Sequence, residues 1–171
     1  SAASDVYKRQ GELIYEHLRY RLKSEKSMQA KLEARGLPLT PYSALCEVRD
    51  AIGFRVVCRF IDDIYKNISR IKNLPGITVV KEKDYILDVK SNGYRSYHMI
   101  LSVEAPYEDV RGDNPGHFFV EIQLRTIAMD SWASLEHEMK YKHHIRNAPL
   151  IEQELKRCAD ELASCDISMQ T

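Results

Sequence analysis

Two carboxylates stand where they can share one cation. Asp50 lies just before the run Phe54–Phe60, FRVVCRF, and Glu121 lies inside the run Phe118–Arg125, FFVEIQLR. Both runs alternate with period two, so each sorts its side chains onto two faces. Phe54, Val56, Cys58 and Phe60 take one face of the first run; Arg55, Val57 and Arg59 take the other. In the second run Phe118, Val120, Ile122 and Leu124 oppose Phe119, Glu121, Gln123 and Arg125. Carboxylates among guanidinium groups on neighbouring strands suit Mg²⁺ held against a polyphosphate, because that ion takes one or two carboxylates plus phosphate oxygens. Alternation alone fits equally well a solvated sheet face with ordinary ion pairs, the commoner pattern.

Two further groups carry charge in a pattern. Arg21, Lys23, Ser27 and Lys31 fall in a stretch read as helical, where Lys23, Ser27 and Lys31 repeat every four residues and share one face. A cationic stripe with a hydroxyl suits a polyphosphate, and read alone it suits a solvated helix face as well. The segment Lys83–His98, KDYILDVKSNGYRSYH, joins an Asn92-Gly93 turn to Tyr94 and to the cations Lys83, Lys90 and Arg95. A ring in a polar loop can stack on a base, worth about 1–3 kcal/mol, or it can pack back on its own sheet.

The elements that position these groups follow from periodicity and breakers. A helix is expected from Glu12 to Glu33, ending near Gly36 and Pro38, with a loop over Leu37–Ser43. The strand Phe54–Phe60 leads to a short helix opened by Asp62-Asp63, with Ile64, Ile68 and Ile71 on one side. Strands are expected at Ile77–Val80, Tyr97–Val103 and Phe118–Arg125, then a helix over Ile127–His143 and a last helix from Leu150. That order predicts an α/β (α+β) fold, a mixed β-sheet flanked by helices. The 171 residues suit one domain, and 25 basic against 25 acidic residues argue against a general nucleic-acid coat. Cys46, Cys58, Cys158 and Cys165 form no CxxC pair, which suits a reducing, cytoplasmic setting. No apolar stretch reaches membrane-spanning length. Residues 1–11 are read as non-native or disordered, SAASDVYKRQ resembling translated adapter sequence, and residues 12–171 as the single domain.

Four ordered blocks resemble the synthetase domain of the RelA/SpoT family, especially its stand-alone small alarmone synthetases. They are RLKSEKSMQAKL (Arg21–Leu32), RDAIGFRVVCRFIDDIY (Arg49–Tyr65), KDYILDVKSNGYRSYH (Lys83–His98) and VEIQLRTIAMDSWASLEHEMKYK (Val120–Lys142). The resemblance implies a nucleotidyltransferase-like fold and transfer of the β,γ-pyrophosphate of ATP to the 3′-hydroxyl of GDP or GTP, giving (p)ppGpp and AMP. It implies Asp50 and Glu121 as Mg²⁺ ligands, with Glu121 also activating the hydroxyl. Arg21 and Arg55 would sandwich adenine, and Lys23, Ser27 and Lys31 would meet the ATP phosphates. Tyr94 would stack on guanine, with Lys90, His98, Asn92, Lys83, Gln123, Arg125 and Asp130 around the acceptor. Val89 replaces a proline usual before the family's lysine, and Asp130 stands where some relatives carry Asn. A homo-oligomer, a tetramer by resemblance, is implied; nothing in the charge balance points to RNA. No hydrolase region is read beside the synthetase.

Two other functions stay open: a related pyrophosphokinase acting on adenosine nucleotides or tRNA, and an inactive regulator that binds guanine nucleotide or RNA. HEMKY, His137–Tyr141, lacks the second His of a zinc-protease motif. His143 and His144 read as solvated helix-end residues, Trp132 as core, and Tyr85 as either packing or ligand-binding. In the last helix Ile151, Leu155, Cys158, Leu162 and Cys165 make a stripe that suits either the chain's own body or a partner subunit.

Overall fold

The computed structural model describes residues 13–142 and 148–170. Its elements are β1 (His17–Leu22), α1 (Glu25–Ala34), a π-helical turn (Ser43–Glu47), β2 (Ile52–Cys58), α2 (Ile61–Lys72), β3 (Ile77–Asp84), β4 (Tyr97–Ala105), β5 (Gly116–Thr126), α3 (Ile127–Lys142) and α4 (Ala148–Ser168). One five-stranded sheet runs in the order β1-β2-β5-β4-β3. β2 and β5 are parallel and every other pair is antiparallel, so the expected mixed sheet is present.

The helix expected from Glu12 to Glu33 is two elements. His17–Leu22 also alternates, with Leu18, Tyr20 and Leu22 against His17, Arg19 and Arg21. That period matches the apolar face of β2, where Leu18 pairs Val56, Tyr20 pairs Phe54 and Leu22 pairs Ile52. Edge pairing therefore overrides the helix propensity of this Arg- and Leu-rich stretch. Ser24 then caps α1 by accepting from Ser27 N, with Glu25 in the first turn. The register change puts Lys23 ahead of α1, so Lys23, Ser27 and Lys31 do not share one helical face.

The core lies on one side of the sheet. Phe54, Val56, Met99, Leu101, Val120, Ile122 and Leu124 pack there against Ile64, Ile68 and Ile71 of α2. Asn67 of α2 is fully buried, and its side chain both accepts from Ile14 N and donates to Ile14 O, tying down the entry to β1. Phe60 lies beyond β2, exposed, where it stands at the N-cap of α2. β3 extends to Asp84, which moves Lys83 from the expected loop onto a strand.

α4 packs on α3 around Trp132, which is 2% exposed and donates from Nε1 to Leu155 O at 2.7 Å. Ile151, Leu155, Cys158, Ala159 and Leu162 join that cluster, so the stripe covers the chain's own helix. Cys165 does not join it and is exposed. The buried line runs instead through Leu155, Ala159 and Asp166, one position on from Cys158 and Cys165. Thr126 Oγ1 donates to Asp166 Oδ2 at 2.7 Å, which satisfies that buried carboxyl. His143 and His144 lie outside the described residues.

Candidate active site

Register alone assembles the polar face. Paired residues on neighbouring strands point the same way, and one row crosses all five strands: Arg19, Arg55, Gln123, His98 and Lys83. Two residues along, Arg21 pairs Gly53 and Gly53 pairs Glu121. Gly53 has no side chain to fill the space between them. A cleft of about 230 Å³ opens there, lined by Arg19, Tyr20, Arg21, Gly53, Phe54, Arg55, Glu121 and Gln123. A second cleft of about 470 Å³ is walled by α3 and lined by Arg21, Arg55, Tyr94, Arg125, Glu136, His137 and Lys140 among others. Arg21 and Arg55 line both, so they stand between the two clefts, the larger of which is in the volume range of small-molecule sites.

Ahead of β2, Asp50 Oδ2 meets Lys31 Nζ at 2.6 Å and Lys23 Nζ at 3.3 Å; none of the three lines either cleft. Lys23 is brought there from the chain between β1 and α1, where its N–H donates to Ala51 O. Burial pushes the Asp50 carboxyl up, but Lys31 and then Lys23 pull harder, and its pKa falls below the ordinary 3.8. Asp50 Oδ1 is buried and accepts no hydrogen bond.

Arg125 organises the second cleft. Its guanidinium, on a residue 5% exposed, donates to Tyr94 OH at 2.7 Å, Gln123 Oε1 at 2.9 Å, Asp130 Oδ1 at 3.2 Å and Ser96 Oγ at 3.3 Å. Because Arg only donates, it fixes the orientation of the Gln123 amide. Gln123 must turn its amide nitrogen away, and it donates to Glu121 Oε1 at 2.7 Å. Tyr94 accepts from Arg125 and also shares a hydrogen bond with His98 Nε2 at 2.8 Å, its direction set by the His98 tautomer. Burial first, then the charges of Arg125, Lys90 and Lys83, push His98 down to about 4, so this ring is neutral at pH 7. The Tyr94 ring stands edge to face with Tyr85, His98 and Trp132, and Lys90 Nζ lies 5.2 Å from its centroid.

Residues 20–146 match the family model described as the region found in RelA / SpoT proteins. The GTP pyrophosphokinase YwaC of Bacillus subtilis is 38% identical over 145 residues, 85% of this chain and 67% of that protein. The GTP pyrophosphokinase YjbM of the same organism is 33% identical over 149 residues, 87% of this chain and 67% of that protein. This chain belongs to the RelA/SpoT family. Its fold is also that of small alarmone synthetase 2 from B. subtilis, at a TM-score of 0.80 and 34% identity over 98% of this chain and 85% of that one. Small alarmone synthetase 1, solved with its product pppGpp, superposes at a TM-score of 0.77 with 32% identity over 91% of this chain and 77% of that one.

The four RelA/SpoT blocks thus converge on one face of the sheet, but not every residue in them meets the clefts. Ser27 is occupied with Ser24, whose Oγ donates to it at 3.0 Å and caps its N–H. Asn92 spends its side chain on the turn, accepting from Tyr94 N at 3.0 Å and donating to Glu136 at 3.2 Å. Lys83 and Lys90 both lie over the Tyr85 ring, at 5.9 and 4.7 Å from its centroid. Tyr85 therefore joins the two lysines, and its ring also packs edge to face on Tyr94 and His98. Arg95, expected as a loop cation, turns away to α4. Glu136, His137 and Lys140 line the larger cleft and were missed; their three- and four-residue spacing on α3 was the available signal. His137 belongs to no metal cluster among the described residues.

Proposed function

We propose that this RelA/SpoT chain is a GTP pyrophosphokinase: it makes (p)ppGpp by moving the β,γ-pyrophosphate of ATP to the 3′-hydroxyl of GDP or GTP. The observation that carries the proposal is the pair of clefts joined at Arg21 and Arg55, one reaching Glu121 and the other Tyr94. Such a site can hold two nucleotides with their reacting ends between them. Likeness to YwaC and YjbM, both GTP pyrophosphokinases, supports the same reading.

In this mechanism Arg21 and Arg55 lay their guanidinium planes on adenine. Lys23 and Lys31 exchange Asp50 for the ATP phosphates, and Ser27 flanks them at the first turn of α1. Tyr94 stacks on guanine, with Asn92 and Asp130 beside it, while Lys83, Lys90 and His98 face the acceptor's phosphates. Gln123 and Arg125 keep Glu121 and Tyr94 in place. Glu121 takes the proton of the 3′-hydroxyl. That oxygen bonds to Pβ as the bond from Pβ to the α,β-bridging oxygen breaks, and AMP leaves with the bridging oxygen.

The donor set fits Mg²⁺. Asp50 carries a buried oxygen without a hydrogen bond, and Glu121 lies on the adjacent β5; an ion that draws its other ligands from phosphate and water needs no more from the protein. When bound, Mg²⁺ would neutralise charge on the transferring phosphoryl oxygens. We further read residues 12–171 as one synthetase domain acting as a homo-oligomer, a tetramer by resemblance. The α4 stripe packs internally, so the subunit contacts fall on other surfaces. Four free cysteines and nucleotide substrates suit the cytoplasm.

The test is an acceptor panel. With ATP and Mg²⁺, AMP should form with GDP and GTP and not with ADP or tRNA. AMP formed with ADP or tRNA alone would overturn the guanine assignment.

A further inference from the structure

We propose that α4 is the positioning element for the acceptor ring, acting through a seat in which Gly93 rests on Ala159. The inference rests on Tyr94 being the residue that stacks on the acceptor base.

Three observations meet at this seat. Gly93 has φ +96°, and a Cβ built on it would lie 2.6 Å from Ala159 Cβ and 3.3 Å from Lys156 Cδ. The backbone one residue before Tyr94 therefore presses directly on α4, and both the space and the dihedral demand glycine. Ala159 is itself 3% exposed, so α4 has no slack there. Arg95, one residue after Tyr94, clamps the same contact. Its Nη1 donates to Ala159 O at 3.0 Å and to Gly93 O at 3.2 Å, and its Nη2 pairs with Asp160 at 3.3 Å. Beneath the ring lies Trp132, 6.3 Å from Tyr94 between centroids and itself bonded to Leu155 O of α4.

Tyr94 is thus held from behind by α4 at both neighbouring residues, and below its ring by Trp132 of α3, which α4 in turn holds through Leu155 O. The cation-rich front of the site touches Tyr94 through Arg125 and Lys90, and it meets Gly93 only through the turn, where Gly93 N donates to Lys90 O at 2.9 Å. A displacement of α4 should move the stacking ring and leave Lys23, Lys31 and Asp50 where they are. The affinity for the acceptor is then set by residues some sixty positions away in sequence, none of which lines either cleft.

The experiment uses Trp132, the sole tryptophan, as a reporter beside the ring. GDP and a non-hydrolysable ATP analogue are titrated separately, by tryptophan emission and by calorimetry. Ala159→Leu, which pushes on Gly93, should raise the GDP Kd roughly tenfold or more, the scale of one lost stack. The Kd of the ATP analogue should stay within about twofold, a split that loss of stability alone does not produce. Arg95→Met adds no bulk at the seat and should show the same split, which decides the matter if Ala159→Leu does not fold. Ile151→Ala loosens the same helix away from Gly93; it should lower thermal stability and leave both affinities within about twofold. Unchanged GDP affinity in folded Ala159→Leu, or equal loss of both nucleotides, overturns the inference alone. A wild-type chain that binds no guanine nucleotide overturns the acceptor reading and this inference with it.

Discussion

Replacing Arg125 with Met keeps the length of the side chain and removes the guanidinium. Four acceptors lose a donor, but not equally. Asp130 keeps Arg55 at 3.5 Å, and Ser96 Oγ keeps its own bond to Leu124 O at 3.4 Å. Gln123 Oε1 and Tyr94 OH lose the donor that orients them. A buried polar group left unpaired costs about 1–3 kcal/mol, so two give at most about 2–6 kcal/mol. Both are only half-buried at the cleft walls, and Tyr94 OH keeps His98, which lowers the figure. Two further effects pull toward the low end. Arg125 is itself a desolvated charge, which is costly to bury. It also repels Arg55, whose pKa is lowered by burial and then by Arg125. The expected loss is therefore about 2–3 kcal/mol, a fall in Tm of roughly 4–12 °C for a chain of this size. Thermal and denaturant unfolding of the two proteins measures it. A variant within about 0.5 kcal/mol of wild type would show that the Arg125 network is not what holds Tyr94 and Gln123.

Glu121→Gln should cut AMP release about 10²–10⁴-fold, the usual worth of a positioned base, while calorimetry still detects the ATP analogue; near wild-type turnover would remove Glu121 from catalysis. Asp50 has a depressed pKa, so its pairing stabilises the fold above the ordinary carboxylate value of 3.8 and is lost as pH falls through the lower folded value. Stability curves of wild type and Lys31→Met should therefore converge below that pH, and a gap unchanged at about pH 2 would contradict the pairing. Leu155→Glu should lose several kcal/mol, since a charge enters the buried contact with Trp132. A folded variant of smaller particle size in light scattering would instead place that stripe between subunits.

Much of this was legible in the sequence, for physical reasons. β2 and β5 each present a period-two pattern strong enough to sort Arg55, Glu121 and Gln123 from Phe54, Ile122 and Leu124 before any pairing is known. β1 was not legible as a strand, because Leu and Arg at His17–Leu22 favour helix locally. Only the pairing of Leu18 with Val56 and Tyr20 with Phe54 decides the matter. At the C-terminal end of the α4 stripe the buried position is Asp166 and not Cys165, because a polar partner, Thr126, receives it there, and apolar periodicity does not mark a buried carboxyl. The Arg125 hub and the seat of Gly93 on Ala159 depend on contacts 31 and 66 residues apart, which no local pattern records.

The central claim concerns which bond is made. Phosphorus NMR of ATP and GDP incubated with the chain and Mg²⁺ follows every phosphate at once. The account predicts a new 3′-linked diphosphate on the guanosine and an equal amount of AMP. Formation of GTP and ADP, or of free phosphate or pyrophosphate without a 3′-linked product, would contradict it.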